Sequence, residues 1–505
     1  MTTSPTTFAV SLRQAASVGV LAAAVSLAFL GSRGLYETTE GRYAECAREM
    51  LETGNYMEPT LGYRPHWTKP PLTYWAIAGG MRLLGVNAWG ARAFGAVAFV
   101  LTALLVSLIG RQLFDTATGW LAGVIYATSA FPVFGAWTVS TDTLLTLWET
   151  LAVAAYLAAW HATDARARRI RLLGMWIAFG LGFATKGPPA LLPLAALAVW
   201  QRGDPARPSL WRWPGIVAFL LVGLSWYVLV SVRHHGLLGY FVGTEVMDRV
   251  AAGNVHNKGW YKGLTLLLPV LLLGNGVWLF PAARITWKAR ASLRIATLRA
   301  WLHTTPGASF ALLWVAIPFA VFALSRSKLP LYVLPLCVPV TLLLARLLTA
   351  QGFHTPRAVG WWAAAAAGSL IAAKALAAQV GSEADMRPVA ELCHRVAPPK
   401  ARFVLVQKSK CHGLQFYLNG NLERITLTGT EPWANGRLRD LVADIASPTD
   451  RPRVLIVPSG LETVLATALG KDAAALHAAH ANGFAVLPPQ ASPTPKMTPI
   501  AESLP

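Results

Sequence analysis

Charged residues are scarce in this sequence: they make up only 13% of its 505 residues, whereas hydrophobic residues make up 54%. A soluble chain normally carries about 25% charged residues, so much of the apolar surface must face something other than water. Cysteine is scarce as well, because the four Cys residues are widely spaced and form no Cys-x-x-Cys pair. A disulfide-rich scaffold and a cysteine metal cluster are therefore excluded. No Gly-x-x-x-x-Gly-Lys-Ser/Thr sequence occurs either, so we expect no P-loop nucleotide site.

Long apolar runs dominate the first three quarters of the chain. A membrane-spanning helix needs about 20 mostly apolar residues, and charged or Pro/Gly-rich breaks separate eleven candidates. They are 14–33, 89–110, 117–136, 143–161, 171–184, 187–200, 214–232, 262–282, 308–325, 330–349 and 359–379. Lys186, Pro188 and Pro189 interrupt the stretch 171–200, where two short helices joined by a tight turn are an alternative. The sequence predicts an all-α polytopic membrane protein with about 11 transmembrane helices.

Basic residues set the orientation of these spans. They crowd four connections that fall on one side of the membrane: Arg166, Arg168, Arg169 and Arg171; Arg202, Arg207 and Arg212; Arg284, Lys288, Arg290, Arg294 and Arg299; Arg346 and Arg357. The positive-inside rule places that side in the cytoplasm. The net charge of +20 is then explained by topology and anionic lipid headgroups, and no nucleic-acid partner is expected.

The loops 34–88 and 233–261 lie on the opposite, non-cytoplasmic side. Within the first, residues 41–53 carry apolar side chains at helical spacing with charged residues elsewhere, which is typical of an amphipathic helix at the membrane interface. Residues 72–84 are expected to form a second such helix. These helices would form a shelf over the membrane rather than another span.

The composition changes to that of a soluble domain after about residue 380. The runs 402–407 and 453–458 are β-branched and apolar, as in buried strands, and residues 433–447 and 460–482 look helical. We therefore predict a transmembrane domain at 1–380, a small periplasmic α/β domain at 382–488 and a disordered tail at 489–505. Cys393 and Cys411 either pair in this oxidising compartment or stay free and buried.

Two acidic segments stand at non-cytoplasmic helix mouths. Glu37 and Glu40 precede the first shelf helix, and Asp142 opens the fourth predicted span. Each has a structural interpretation, in which a residue here caps a helix or favours its positive end. The functional alternative is a general base facing a cavity. These residues alone favour the cap for the Glu40 segment.

Six basic residues share this side, where the positive-inside rule predicts few: Lys69, Lys186, Arg249, Lys258, Arg326 and Lys328. Snorkelling of long side chains at the interface accounts for one or two of them. A set of six favours an anionic ligand instead, and the phosphate of a lipid is the natural candidate.

The motifs in these loops resemble those of bacterial aminoarabinose–lipid A transferases and the related protein O-mannosyltransferases. The resemblance covers about residues 15–350 and is carried, in order, by Glu40-Gly41-Arg42-Tyr43-Ala44-Glu45, Lys69-Pro70-Pro71-Leu72 with Tyr74-Trp75, Asp142, Thr185-Lys186-Gly187, Trp226, Glu245 with Arg249, His256 before Trp260-Tyr261, and Ser327-Lys328-Leu329-Pro330 with Tyr332. Each motif alone is weak, but their order and spacing together are fairly specific.

This resemblance implies the GT-C fold and a glycosyltransferase of the bacterial inner membrane. Such an enzyme takes a sugar from a polyprenyl-phosphate donor and gives it to a lipid A-like glycolipid, another glycan or a protein outside the cytoplasm, with inversion. The implied catalytic carboxylates are Glu40 and Asp142, with Glu37 as an alternative because the family's Asp before Glu40 is Thr39 here. The implied groups for the substrate and its phosphate are Arg42, Lys69, Lys186, Arg249, Lys258, Lys328, Tyr261 and Tyr332.

The same resemblance raises the question of a divalent metal. The family's Glu before the Lys-Pro motif, which is linked to the metal, is Thr68 here, and His66 and His256 are the candidate ligands that remain. Two other functions stay open: a lipid or glycolipid transporter built from the same spans, and a non-catalytic relative that binds lipid. A transporter would show inverted repeats and charges near mid-membrane, whereas here the charges gather at one surface.

Overall fold

The computed structural model describes residues 12–247, 259, 261–288, 301–302, 304–408, 410–426, 434, 436–437, 452–468 and 477–489, without the side chains of 244–247, 288, 436–437 and 468. The predicted site residues Arg249, His256 and Lys258 lie outside this part of the chain, as do the predicted tail beyond residue 489 and most of the predicted helix 433–447.

The described part of the chain is mostly helical. Six helices are long and apolar enough to cross a membrane: Ala88–Leu113, Asp142–Trp160, Trp213–Arg233, Pro306–Leu324, Pro330–Ala350 and Pro356–Gln379. Two bent pairs raise the number to eight if each pair is one span: Thr116–Ala127 with Ala130–Ala136, and Gly263–Leu273 with Gly276–Trp287. The helices Leu12–Leu27 and Pro188–Gln201 are apolar but shorter, and Ala165–Lys186 begins with the basic residues 166–171.

The bend in the predicted span 117–136 has a local cause. The hydroxyls of Thr128 and Ser129 donate to the carbonyls of Val124 and Ile125, each over 2.7 Å. Such bonds compete with the helical backbone and often bend helices. The two halves, Thr116–Ala127 and Ala130–Ala136, therefore meet at 56°, which the apolar pattern alone could not predict.

Small residues let the membrane helices approach closely. A Cβ on Gly110 would lie 2.8 Å from the Cα of Gly119, so the helices Ala88–Leu113 and Thr116–Ala127 pack backbone against backbone. Around this contact, one large apolar cluster joins Leu12–Leu27 to the helices as far as Pro356–Gln379.

The loop 34–88 holds two helices and a short hairpin. The helices are Thr39–Thr53 and Leu72–Leu84, and the hairpin pairs β1 (Thr60–Leu61) with β2 (Arg64–Pro65). Both predicted shelf helices are present. The first, however, does not expose its charged face, because Glu45, Arg48 and Glu49 are buried.

The hairpin and a later segment of the chain cover that charged face. Glu49 accepts hydrogen bonds from the amides of Gly62 and Tyr63 and from the hydroxyl of Thr60. Arg48 pairs with Glu45 over 2.7 Å. The helix His412–Tyr417 packs on the same helix, with Phe416 in its apolar cluster. Thr39–Thr53 is thus held between the membrane helices and the C-terminal part of the chain.

A six-stranded sheet forms beyond residue 400. Its strands are β3 (Arg402–Val406), β4 (Leu422–Thr426), β5 (Gly436–Arg437), β6 (Arg453–Pro458), β7 (Ala479–Ala481) and β8 (Phe484–Leu487), in the order β5-β4-β3-β6-β8-β7. The pairs from β5 to β6 are parallel, and β8 is antiparallel to both β6 and β7. The predicted helix 460–482 is wrong at its end, since Glu462–Ala468 is helical but 479–481 is β7.

Alternation along the central strands buries both faces of this sheet. Phe403 and Leu405 join one apolar cluster, and Val404 and Val406 join another. The helices Arg387–Val396 and His412–Tyr417 contribute side chains to the first cluster. All four cysteines, including Cys393 and Cys411, are free and buried.

Several hydrogen bonds tie this region to the loop after the first helix, and three of them involve Gly34, Leu35 and Glu37. The Gly34 amide donates to Asp385 over 2.8 Å, the Leu35 amide donates to the Tyr417 hydroxyl over 2.8 Å, and the Gly413 amide donates to Glu37. The chain between residues 31 and 42 is therefore fixed from both sides.

Candidate active site

Asp142 and Lys186 meet at neighbouring ends of two antiparallel helices. Asp142 is the first residue of Asp142–Trp160, and Lys186 is the last of Ala165–Lys186, which stops at Gly187 with φ 81°. The Lys186 ammonium donates to Oδ1 of Asp142, and both side chains are nearly buried. Thr141, not Asp142, holds the N-cap position. The Asp142 carboxylate therefore serves an ion pair rather than a cap, and its Oδ2 accepts no hydrogen bond within the described chain.

Two tyrosines border this ion pair. The Lys186 Nζ lies 4.6 Å from the centre of the Tyr332 ring, a cation–π distance. Tyr332 belongs to the 3-10 helix Pro330–Leu336, which begins two residues after the buried Lys328. Tyr43, on the Thr39–Thr53 helix, also interacts electrostatically with Lys186. Residues 43, 142, 186 and 332 are thus brought together from four distant stretches.

Arg42 continues the site on the other side of Tyr43. Its guanidinium lies 5.3 Å from the centre of the Tyr43 ring, and the Tyr43 and Tyr74 rings are 5.7 Å apart. The Nε of Arg42 is buried and has no hydrogen-bond partner in the described chain. Burial and the charges of Arg42 and Lys69 lower the pKa of His66 to about 4. His66 is therefore neutral at physiological pH and lies in a positive potential.

The Lys69 motif lies beside that imidazole. The Thr68 hydroxyl is 2.8 Å from Nε2 of His66, and the Lys69 ammonium donates to the Thr68 carbonyl over 2.7 Å. Within the described residues, no three His, Cys, Asp or Glu side chains come together as metal ligands. The Nε2 of His66 is already hydrogen-bonded to Thr68, and a single histidine does not make a metal site. No step of the chemistry is therefore assigned to a metal ion.

Glu40 contacts the loop before Asp142 through the Val139 amide, and its carboxylate is fully engaged. Arg33 donates to it from Nη1 over 2.5 Å, Arg92 donates from Nη2 over 3.0 Å, and the amides of Tyr36 and Val139 each donate over 2.9 Å. Burial opposes ionisation of Glu40, but the two guanidiniums outweigh it and lower its pKa to about 2. A carboxylate so weakly basic and so fully bonded suits anchoring better than proton abstraction. Its predicted role as a general base stays a prediction.

Glu37 lies under the C-terminal segment. Its Oε1 accepts from the Gly413 amide, and its Oε2 is buried without a hydrogen-bond partner in the described chain. Burial raises the pKa of Glu37, although the backbone amides beside it oppose the shift. It is the more basic of the two candidate glutamates, and it faces residues 412–414 rather than Asp142.

The remaining candidates are placed less centrally. Tyr261 is 49% exposed, and the Lys262 ammonium lies 5.6 Å from the centre of its ring. The structure therefore forms two groups of predicted site residues: Asp142 with Lys186 and Tyr332, and Arg42 with His66 and Lys69. Tyr43 links them, because it lies near Lys186 and beside Arg42. The roles of Tyr261 and Lys328 stay predictions.

Several site residues were missed by the sequence interpretation. Arg33 and Arg92 hold Glu40, and Arg92 stands inside an apolar run, which should have marked it as exceptional. Glu149 lies two turns after Asp142 on the same helix face, is only 4% exposed, and has Lys186 as its neighbouring cation. The spacing of seven residues from Asp142 was the available signal.

The chain is similar to several known proteins. The family model described as dolichyl-phosphate-mannose-protein mannosyltransferase matches residues 68–232. The undecaprenyl phosphate-α-4-amino-4-deoxy-L-arabinose arabinosyl transferase of Pseudomonas aeruginosa strain LESB58 is 34% identical over 338 residues, which cover 63% of this chain and 56% of that protein. The transferase of the same name from Edwardsiella ictaluri is 32% identical over 327 residues. The chain thus spans just over half the length of these curated relatives.

A solved structure extends the likeness over nearly the whole chain. ArnT from Cupriavidus metallidurans, bound to undecaprenyl phosphate, superposes with a TM-score of 0.75 at 21% identity, over 94% of this chain and 97% of that one. This chain has the fold of ArnT. The resemblance to aminoarabinose–lipid A transferases and mannosyltransferases is confirmed, and so is the multi-pass membrane architecture. Asp142 and Lys186 both lie within the segment that the mannosyltransferase family model matches.

Proposed function

We propose that this protein is a membrane glycosyltransferase that moves a sugar from a polyprenyl-phosphate carrier to an acceptor, with inversion. One observation supports this most strongly: Asp142, Lys186 and Tyr332 come from distant stretches and meet, and Tyr43 links them to Arg42. A site of this kind supplies fixed cations for a leaving phosphate and a carboxylate for an acceptor. The ArnT fold and the arabinosyl transferase relatives point to the same reaction.

The site divides naturally between the leaving group and the acceptor. When the bond between the anomeric carbon and the phosphate oxygen breaks, the electron pair stays on that oxygen. We assign to Lys186, Arg42 and Lys69 the stabilisation of the growing charge, because preorganised cations away from bulk water are effective there. The acceptor oxygen attacks the opposite face of the anomeric carbon, which inverts it, and its proton passes to Asp142.

We assign Asp142 rather than Glu40 to the acceptor side. Asp142 has one carboxylate oxygen that accepts no hydrogen bond in the described chain, whereas two arginines and two backbone amides engage Glu40. Glu40 instead fixes the start of the Thr39–Thr53 helix against the 137–142 loop. Glu37 remains a candidate for a proton-handling role on the C-terminal side.

We further propose eleven membrane crossings in the bacterial inner membrane. The six long apolar helices, the two bent pairs and the two shorter apolar helices account for ten. Ala165–Lys186 supplies the eleventh, with its arginine-rich start in the cytoplasm and Lys186 at the other face. The site and the α/β region at 382–488 would then lie in the periplasm. A lipid A-like glycolipid, another glycan and a protein hydroxyl remain alternative acceptors.

Transfer in proteoliposomes tests the proposal. Purified protein is mixed with a polyprenyl-phosphate-linked labelled sugar and a glycolipid acceptor, and the products are separated by mass spectrometry. We expect labelled acceptor with an inverted anomeric centre. Asp142→Asn should reduce this transfer at least a hundredfold, whereas Glu391→Gln, at an exposed glutamate of the Arg387–Val396 helix, should not change it.

The same assay separates the alternatives. A transporter would move the labelled lipid between leaflets and leave the sugar on its carrier. A non-catalytic relative would bind the carrier with no loss of sugar. Either result with the wild-type chain would contradict the proposed function.

A further inference from the structure

The end of the helices that lies opposite the candidate active site carries a buried arginine. The helix that begins at Asp142 ends at Trp160, about 27 Å away. The next residue, His161, has a ring nitrogen 3.1 Å from the carbonyl oxygen of Gln112. Arg111 directly precedes Gln112 in the last turn of the helix that both belong to. Arg111 therefore lies too far from Asp142 to take part in sugar transfer.

The guanidinium of Arg111 is incompletely paired although it is buried. Only 7% of the residue is exposed, and its Nη1 has no hydrogen-bond partner in the described chain. The side chain lies against Gly119, where an added Cβ would clash with the Arg111 Cγ. An arginine that snorkels to the interface keeps its charged head in water, whereas a buried charge without a partner is costly. Arg111 therefore requires an anion.

The carboxylates at this end of the helices already have partners. Three of them belong to the part of the chain that the structure describes: Asp115 pairs with Arg346, Asp164 accepts from the Ala167 amide, and Asp204 pairs with Arg207. The segments 1–36 and 249–382 contain no Asp or Glu at all. Even with Asp115 beside it, Arg346 has a buried Nε without a hydrogen-bond partner in the described residues. The excess of guanidinium groups points to an anion from outside the chain.

An apolar groove of about 410 Å³ leads to Arg111 along its own helix. The groove runs between three helices, and its lining includes Ala15, Leu101, Leu104, Leu108, Leu147 and Leu151. Leu101, Leu104, Leu108 and Arg111 follow one another at spacings of three and four residues, so they share one face of Ala88–Leu113. Leu101 lies in the middle of this helix and is 44% exposed. The groove is therefore open at mid-helix and ends one turn before the guanidinium.

We propose that this groove and Arg111 bind an anionic phospholipid from the leaflet at this end of the helices. The phosphate diester accepts from the Arg111 guanidinium, and an acyl chain fills the groove. Charge complementarity selects this occupant, because a zwitterionic headgroup would bring its ammonium among the arginines of this end. A free phosphate would pair with Arg111 and leave the groove empty. The inference goes beyond the proposed function and does not depend on sugar transfer.

Native mass spectrometry tests the site with neither donor nor acceptor present. Full-length protein in detergent is mixed with phosphatidylglycerol and phosphatidylcholine of the same acyl chains, and the bound lipids are counted. We expect the wild type to retain one phosphatidylglycerol with a preference of about tenfold, and Arg111→Gln to lose this preference. Arg357→Gln, at an exposed arginine of the same end, is the matched control and should keep it.

A second variant tests the groove and leaves the guanidinium in place. Ala15→Phe fills the groove, so phosphatidylglycerol should bind about tenfold more weakly, while the melting temperature in detergent should stay that of the wild type. Neither inorganic phosphate in large excess nor undecaprenyl phosphate at equal concentration should displace the lipid from the wild type.

Each contrary result overturns the proposal in a different way. Displacement by inorganic phosphate would show a free-anion site, and displacement by undecaprenyl phosphate would show a groove for the sugar carrier. Equal retention of the two phospholipids by the wild type, or an unchanged preference in Arg111→Gln, would show that Arg111 selects no lipid. Because no sugar is present, none of these results depends on whether the protein is a transferase.

Discussion

Glu40→Gln distinguishes an anchoring glutamate from a general base. In the wild type the carboxylate neutralises Arg33 and Arg92, whose side chains are 8% and 0% exposed. The substituted amide would keep the shape of the side chain and leave two buried guanidiniums without a counter-charge. Removing one partner of a buried ion pair costs about 3–5 kcal/mol. The pKa of Glu40, lowered from 4.5 to about 2, corresponds to about 3 kcal/mol, so the two values agree.

Hydrogen exchange measures this loss locally. A change of about 3 kcal/mol raises the equilibrium for local opening roughly a hundredfold. We therefore expect amides of the Thr39–Thr53 helix in Glu40→Gln to exchange about a hundred times faster, whereas those of Pro356–Gln379 should not change. The control is Glu52→Gln on the same helix, since Glu52 pairs with Arg48 but is half exposed, and exposed pairs contribute about 1 kcal/mol or less. Normal exchange together with abolished transfer would refute anchoring and restore the general-base interpretation.

The same contacts give three further predictions. The pKa of folded Glu40 is lowered to about 2, so the stability that its ionised carboxylate contributes is present above pH 4.5 and is lost as the pH falls towards 2. Measurement of the melting temperature against pH should show this loss in the wild type and not in Glu40→Gln. Lys186→Met should leave Asp142 unpaired and lower the free energy of unfolding by about 3–5 kcal/mol. Adding Asp142→Asn to this variant should restore part of the lost stability, whereas strictly additive shifts of the melting temperature would contradict a direct ion pair. Gly41→Ala should weaken the contact with Gly413 by about 1–3 kcal/mol, and proteolysis of the C-terminal region should become faster. Gly360→Ala is the control and should be tolerated, because nothing lies within 4 Å of a Cβ there. Equal rates of cleavage in the two variants would count against the close contact.

The sequence predicted the parts of this protein that depend on local pattern. Apolar runs long enough to cross a membrane located the helices, and the Lys-Pro-Pro and Thr-Lys-Gly motifs located Lys69 and Lys186. The sequence did not predict the bend at Thr128, because the bend depends on which backbone carbonyl accepts the hydrogen bond of the Thr128 hydroxyl. The first shelf helix, Thr39–Thr53, was expected to expose a charged face to water. In the structure, β1, β2 and the segment 412–417 cover that face. The segment 412–417 lies more than 300 residues further along the chain, so local sequence patterns could not predict this contact.

The site shows the same division between local and distant information. Asp142 was recognisable from its position at a helix mouth, but its pairing with Lys186 depends on how two helices pack. The alternative roles of Glu40 could not be weighed without Arg92, which is 52 residues away and belongs to no motif in the sequence. The contact between Gly41 and Gly413 carried no signal at all, since it joins two parts of the chain that lie far apart in the sequence.

The fate of the carrier's phosphate tests the central claim most directly. In a single-turnover reaction followed by ³¹P NMR, the carrier's phosphodiester signal should convert to a phosphomonoester as the sugar leaves. The wild-type protein should complete this conversion only when acceptor is present. Lys186→Met, assayed at a temperature low enough to keep the variant folded, should slow the conversion at least a hundredfold. Equal conversion in Lys186→Met, or a phosphodiester that persists with the wild type, would contradict a cationic site built around Lys186 for the leaving phosphate.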